Sequence, residues 1–105
     1  MKVEPGPIIG YCPRQMWGSV DGKRFYMRLR GDVSFRVSHD PEVKPEDIDY
    51  TDEKGFCANE FTHPHLDKCD RTGYPGWADD DEVMACLDAA VEAYQAHLAF
   101  MEKNR

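Results

Sequence analysis

A chain of 105 residues that is 41% hydrophobic, 31% charged and 11% aromatic has the composition of one folded domain, not of a disordered tail, a collagen or a cystine scaffold. Its formal charge of -7 argues against general nucleic-acid binding by the surface, and no apolar run approaches the ~18 residues of a membrane span. The opening MKVEPGPIIG has no apolar core of an export signal, so a cytoplasmic protein with reduced thiols at its four cysteines is expected.

The first clear element is MWGSV-DG-KRFYMRLR, where Asp21-Gly22 separates two strand-like runs. A type I′ turn needs positive φ at both central residues, and Asp-Gly supplies it. The turn predicts Val20 opposite Lys23, Gly18 opposite Phe25 and Met16 opposite Met27. Met16, Gly18, Val20, Phe25, Met27 and Leu29 then share one face, and Trp17, Ser19, Arg24, Tyr26, Arg28 and Arg30 share the other. Phe25 across from Gly18 fits, because a ring covers the bare backbone of a strand glycine.

A third run, Val33 to Ser38, alternates apolar and polar. A three-residue loop, Arg30-Gly31-Asp32, places Val33 opposite Leu29 and Phe35 opposite Met27. A two-residue turn would move Val33 and Phe35 to the arginine side, so the longer loop is preferred. In this register Arg36 joins the arginine face.

Residues 39–78 concentrate breakers: Asp40-Pro41, Lys44-Pro45 and Gly73-Tyr-Pro-Gly76. Within this irregular middle, Pro45 can open a short helix through Ile48, and Phe56 to Phe61 can form a short strand. The last element is a helix from about Asp80 to Lys103. Asp79 is its N-cap, with Glu82 three residues on in a capping-box pattern, and Lys103 and Arg105 suit its C-terminal end. Val83, Leu87, Ala90, Val91, Tyr94, Leu98 and Met101 recur at helical spacing as its buried stripe. Ala85, Ala89, Ala93 and Ala96 form a small-residue flank through which a homodimer can close. The expected architecture is one α+β domain over residues 1–105. It is a three-stranded antiparallel β-meander packed against one long C-terminal α-helix, with an irregular middle segment.

Charge is unevenly placed. Residues 1–38 carry seven Lys/Arg against three Asp/Glu, residues 39–78 four against ten, and residues 79–105 two against seven. The arginine-aromatic face of Trp17, Arg24, Tyr26, Arg28 and Arg30 is therefore a candidate binding surface. Guanidinium groups bind carboxylates and phosphates and stack on rings, so it suits an acidic protein, a nucleic acid or a phosphorylated ligand. The competing expectation is that the acidic middle segment folds over this face. A separate acidic surface, with Asp47, Asp49, Asp52, Glu53, Asp79, Asp80, Asp81 and Glu82, can imitate nucleic-acid phosphates toward a basic protein.

Cys57-x5-His63-Pro-His65-x3-Cys69 sets two thiols and two imidazoles within thirteen residues, a candidate tetrahedral zinc set. Such a metal would order the irregular middle. Otherwise these are ordinary thiols and loop histidines, and no cofactor is expected. Enzyme motifs such as the P-loop, G-x-S-x-G, H-E-x-x-H and the dinucleotide fingerprint are missing. Cys57 with His63 can be drawn as nucleophile and base, but the sequence names no third group. His39-Asp40 reads as an Asx-type turn.

The segment WGSVDGKRFYMRLR, residues 17–30, resembles the openings of small uncharacterised proteins of actinobacteria and actinobacteriophages. The resemblance implies no activity; it favours a small accessory or host-directed protein that acts by binding. The resulting expectation is a non-enzymatic binding or inhibitory module acting on a host protein or a nucleic-acid-binding protein. A zinc-stabilised domain is the alternative. A small enzyme acting on a nucleotide or phosphorylated ligand comes third.

Overall fold

The Asp21–Gly22 turn takes the conformation its residues favour, with φ of 48° and 79°, in a computed structural model that describes residues 1–59 and 78–104. Five strands are present among these residues: β1 (Val3–Pro5), β2 (Arg14–Val20), β3 (Lys23–Leu29), β4 (Val33–Ser38) and β5 (Gly55–Asn59). They form one antiparallel sheet in sequential order, followed by α1 (Asp80–Lys103). The α+β class, the antiparallel meander and the C-terminal helix agree with expectation; the strand number does not.

The hairpin register is the predicted one, with Gly18 opposite Phe25 and Met16 opposite Met27. A Cβ on Gly18 would lie 2.7 Å from the Phe25 ring and would also strike the Glu4 carbonyl, so the ring does cover this glycine. The loop after β3 places Leu29 opposite Val33 and Met27 opposite Phe35, closed by the Arg30 N–H donating to the Asp32 carbonyl at 3.0 Å.

The two added strands flank this meander. β1 is three residues long and ends in proline, so it carries no periodic signal of its own. It pairs because β2 presents an open edge, and reciprocal Lys2–Asp21 contacts of 2.8 Å fix its start. β5 begins at Gly55, one residue before the run expected at Phe56. Position 55 needs glycine because a Cβ there would strike the Val37 carbonyl and come within 2.8 Å of Ile48. The expected helical piece after Lys44 is a 3-10 turn over Pro45–Asp47.

Alternation sorts the sheet into two faces. One carries Met16, Val20, Phe25, Met27, Leu29, Val33, Phe35, Val37, Phe56 and Ala58, which join α1 in one core. Burying a side chain of this size contributes roughly 1.5–3 kcal/mol, so this face drives the fold. Asp79 caps α1 as predicted, accepting from the Glu82 N–H at 2.8 Å.

The buried stripe of α1 is Val83, Cys86, Leu87, Ala90, Val91, Ala93 and Tyr94. It is rotated toward Cys86 and Ala93 relative to the expected stripe. Small residues there admit the large rings and thioethers of the sheet. Leu98 is partly buried, whereas Met101 is 54% exposed and is not core. A helix of 24 residues is about 36 Å long, but strands of five to seven residues span only about 17–24 Å, so the last turns outrun the sheet. Ala93 is fully buried and Ala89 packs on the core, which divides the small-residue flank between core and surface.

Candidate functional site

The sheet face turned away from the core is organised in cross-strand rows. The central row is Trp17, Tyr26, Arg36 and Cys57; beside it runs Gln15, Arg28, Ser34 and Asn59. Arg24 and Ser19 stand opposite one another nearer the Asp21–Gly22 turn.

Residues 41–49 lie across the centre of this face. Pro45 and Ile48 are buried, and two arginines hold the crossing chain by its carbonyls. Arg24 Nη2 donates to Pro41 O at 2.9 Å and to Val43 O at 3.0 Å. Arg36 Nη1 donates to Glu46 O at 2.9 Å and stands 3.9 Å from the Asp49 carboxylate, while its buried Nε has no partner among the described residues. The covering segment is thus fastened chiefly through main-chain oxygens, with carboxylates in a secondary part.

Trp17 is 37% exposed. Its ring rests on Tyr26 at a centroid distance of 4.8 Å, and its indole N–H donates to Glu46 Oε2 at 3.3 Å. Tyr26 is buried beneath it and donates its hydroxyl to Gln15 Oε1 at 2.6 Å; burial raises its pKa. Trp17, Gly18, Arg24, Lys44, Pro45 and Glu46 frame a shallow groove of about 240 Å³.

Arg28 is half-buried and Arg30 exposed, and neither guanidinium has a hydrogen-bond or ion-pair partner among the described residues. Of the five residues expected to form a binding surface, the fold therefore buries Tyr26 and ties the exposed Arg24 to the crossing chain. It leaves Trp17 partly displayed, and Arg28 and Arg30 open.

Of the candidate metal set, Cys57 stands in the central row opposite Arg36. His63, His65 and Cys69 lie outside the described residues. Burial raises the Cys57 thiol pKa; Arg36 opposes this shift and Asp49 adds to it. A protonated thiol is a poor nucleophile, so the described surroundings of Cys57 do not activate it. Thr51 Oγ1 donates to Cys57 O and accepts from Cys57 N–H, both at 3.1 Å, and so closes the outer edge of β5 to further pairing.

His39 does not face Asp40. Its Nε2 is 2.8 Å from the Tyr94 hydroxyl, and Asp40 Oδ1 accepts the Glu42 N–H in the expected Asx turn. Burial lowers the His39 pKa, and a hydrogen bond to the Glu53 backbone partly offsets this. The proposed acidic surface is partly spent on local structure. Asp79 caps α1, Asp80 pairs with Arg14, and Asp52 Oδ1 accepts from Lys54 N–H.

Arg14 is the residue that the sequence reading missed. It continues the Met16, Gly18, Val20 alternation back by two places, so the inward face receives a guanidinium. Arg14 is 5% exposed; Nη1 donates to Ala78 O and Nη2 to Asp80 Oδ1, each at 2.7 Å, and the group lies 4.4 Å over the Tyr11 ring. It ties the start of α1 to the sheet. Among the described residues no helix is long and apolar enough to cross a membrane, and no group of three His, Cys, Asp or Glu is placed to hold a metal. No protein-family model matches the chain, and no curated protein or solved structure matches it.

Proposed function

We propose that this chain is a non-enzymatic binding module that recognises an acidic protein surface through the outer face of its sheet. Trp17 is the apolar anchor, and Arg28, Arg30 and Lys44 are the flanking cations. The observation that carries this reading is the presentation of Trp17. A large ring is exposed at a groove, yet supported from below by Tyr26 and tethered at its N–H by Glu46. A side chain already held in one orientation loses little freedom on binding, and Trp and Arg are the most frequent energetic anchors of interfaces. The resemblance of residues 17–30 to actinobacterial and phage proteins favours a host-directed protein that acts by binding.

The test compares immobilised wild type with Trp17→Ala for capture of partners identified by mass spectrometry. Trp17→Ala should lose the partner while its melting curve stays close to wild type. Lys44→Glu should weaken capture, and added salt should weaken the wild type, because the flanking contacts are screened. Undiminished capture by Trp17→Ala would sink the reading. So would loss of capture on Asp-to-Asn changes at 79–81 alone, the result expected of an acidic mimic.

A further inference from the structure

We infer that the row Gln15–Arg28–Ser34 is an oxyanion seat for a phosphoryl group, carried by free phosphate or by a phosphate monoester. The three residues face one another across adjacent strands, with Gln15 opposite Arg28 and Arg28 opposite Ser34. Directly paired strand residues have Cα atoms about 4.5–5.5 Å apart, so the three residues stand side by side over about 10 Å, with the long Arg28 side chain in the middle.

What the row offers is hydrogen-bond donors. Arg28 has five N–H groups and, among the described residues, no acceptor for any of them. The Ser34 hydroxyl is half-buried and has no partner there either. Gln15 carries both functions, but its Oε1 is taken by the Tyr26 hydroxyl at 2.6 Å. That bond orients the amide and leaves its NH2 as the available group.

Other arginines of the sheet behave differently. Arg14, Arg24 and Arg36 all spend donors on carbonyls or carboxylates. Among the described residues, the carboxylates of Glu46 and Asp49 on this face are engaged with Trp17 and Arg36. Arg28 is left half-buried and, among the described residues, uncompensated, with Arg30 as a second exposed cation two residues along. A partly desolvated charge without a counter-charge is costly, and a bound anion removes that cost. Phosphate fits the donor set better than carboxylate does. A guanidinium takes two oxygens side by side, and a hydroxyl with an amide serves a third, which a planar carboxylate lacks.

This inference shares the sheet face with the proposed recognition surface but does not rest on it, since its ligand needs no protein partner. The test is NMR titration of the full chain at constant ionic strength with inorganic phosphate, with glycerol phosphate as the monoester and with acetate as the carboxylate. Saturating shifts at Gln15, Arg28 and Ser34 are expected with phosphate. Arg28→Gln should weaken affinity at least tenfold and Ser34→Ala several-fold, while Lys23→Gln, at the opposite end of β3, should change nothing. Tighter binding of the monoester would identify an esterified ligand, and tighter binding of phosphate the free ion. Should Arg28→Gln fail to fold, Arg28→Lys, which keeps the charge but not the bidentate fork, should bind several-fold more weakly. The inference is overturned by shifts spread evenly over all surface cations, by acetate binding as tightly as phosphate, or by a folded Arg28 variant that binds like wild type. Failure here leaves the Trp17 reading standing, because partner capture is read separately.

Discussion

Replacing Arg14 with Met should destabilise the protein by about 2 kcal/mol, and the size of the effect follows from how unequal its three contacts are. The bond to Ala78 O lies in a buried setting, so removing the donor leaves an acceptor cut off from water, at a cost of about 1–3 kcal/mol. The Asp80 carboxylate is 76% exposed and is simply rehydrated, so this ion pair contributes about 0–1 kcal/mol. Stacking on the exposed Tyr11 adds about 0.5–1 kcal/mol. Against these stands relief at Arg14 Nε, which is buried without a partner among the described residues, and Met keeps most of the packing volume. For a domain of this size about 2 kcal/mol lowers the melting temperature by about 8–16 °C. Urea denaturation followed by circular dichroism measures the loss, and amide exchange should rise most in the first turn of α1. Asp80→Asn, by contrast, should cost less than about 1 kcal/mol. A variant as stable as wild type, with unchanged exchange at residues 80–83, would show that the apolar face alone holds the helix and that the tether contributes nothing.

Phe35→Ala should cost about 3–5 kcal/mol and Leu87→Ala about 2–5 kcal/mol, since both side chains are fully buried and Phe35 also packs on the Phe25 ring at 5.3 Å. A loss below about 1 kcal/mol in chemical denaturation would misplace the core. His39 has a folded pKa below its ordinary 6.5, so the unfolded chain takes up the proton first. Its contribution is complete above pH 6.5 and is lost as the pH falls from 6.5 toward the folded value. His39→Gln should therefore flatten the wild-type fall in stability between about pH 7.5 and 5.5, and an identical slope in both proteins would refute this. If Cys57, His63, His65 and Cys69 bind zinc, protein purified without chelator should carry about one zinc per chain and melt lower in chelator. Metal-free native mass spectra with unchanged melting would reject the site.

Local chemistry determined much of the fold. The Asp21-Gly22 turn set the β2–β3 register because both positions need positive φ, and the alternation through Phe35 then chose the next loop, since one slip would bury arginines. Asp79 and the apolar spacing after it bounded α1. These signals are legible because each depends on residues a few positions apart. The rotation of α1 toward Cys86 and Ala93 was decided by the bulk of the opposing sheet, and the exposure of Met101 by strand length. β1 exists only because β2 has an edge to complete. Trp17, Arg24 and Tyr26 were correctly placed on one face, but their division into displayed and fastened residues was settled by where the 41–49 segment crosses. Arg14 finds its partner 64 residues away at Ala78. Burial and hydrogen-bond satisfaction belong to the assembled surface, and so only the tertiary structure separates Arg14, Arg24 and Arg36, which are tied into the fold, from Arg28 and Arg30, whose side chains have no partner among the described residues.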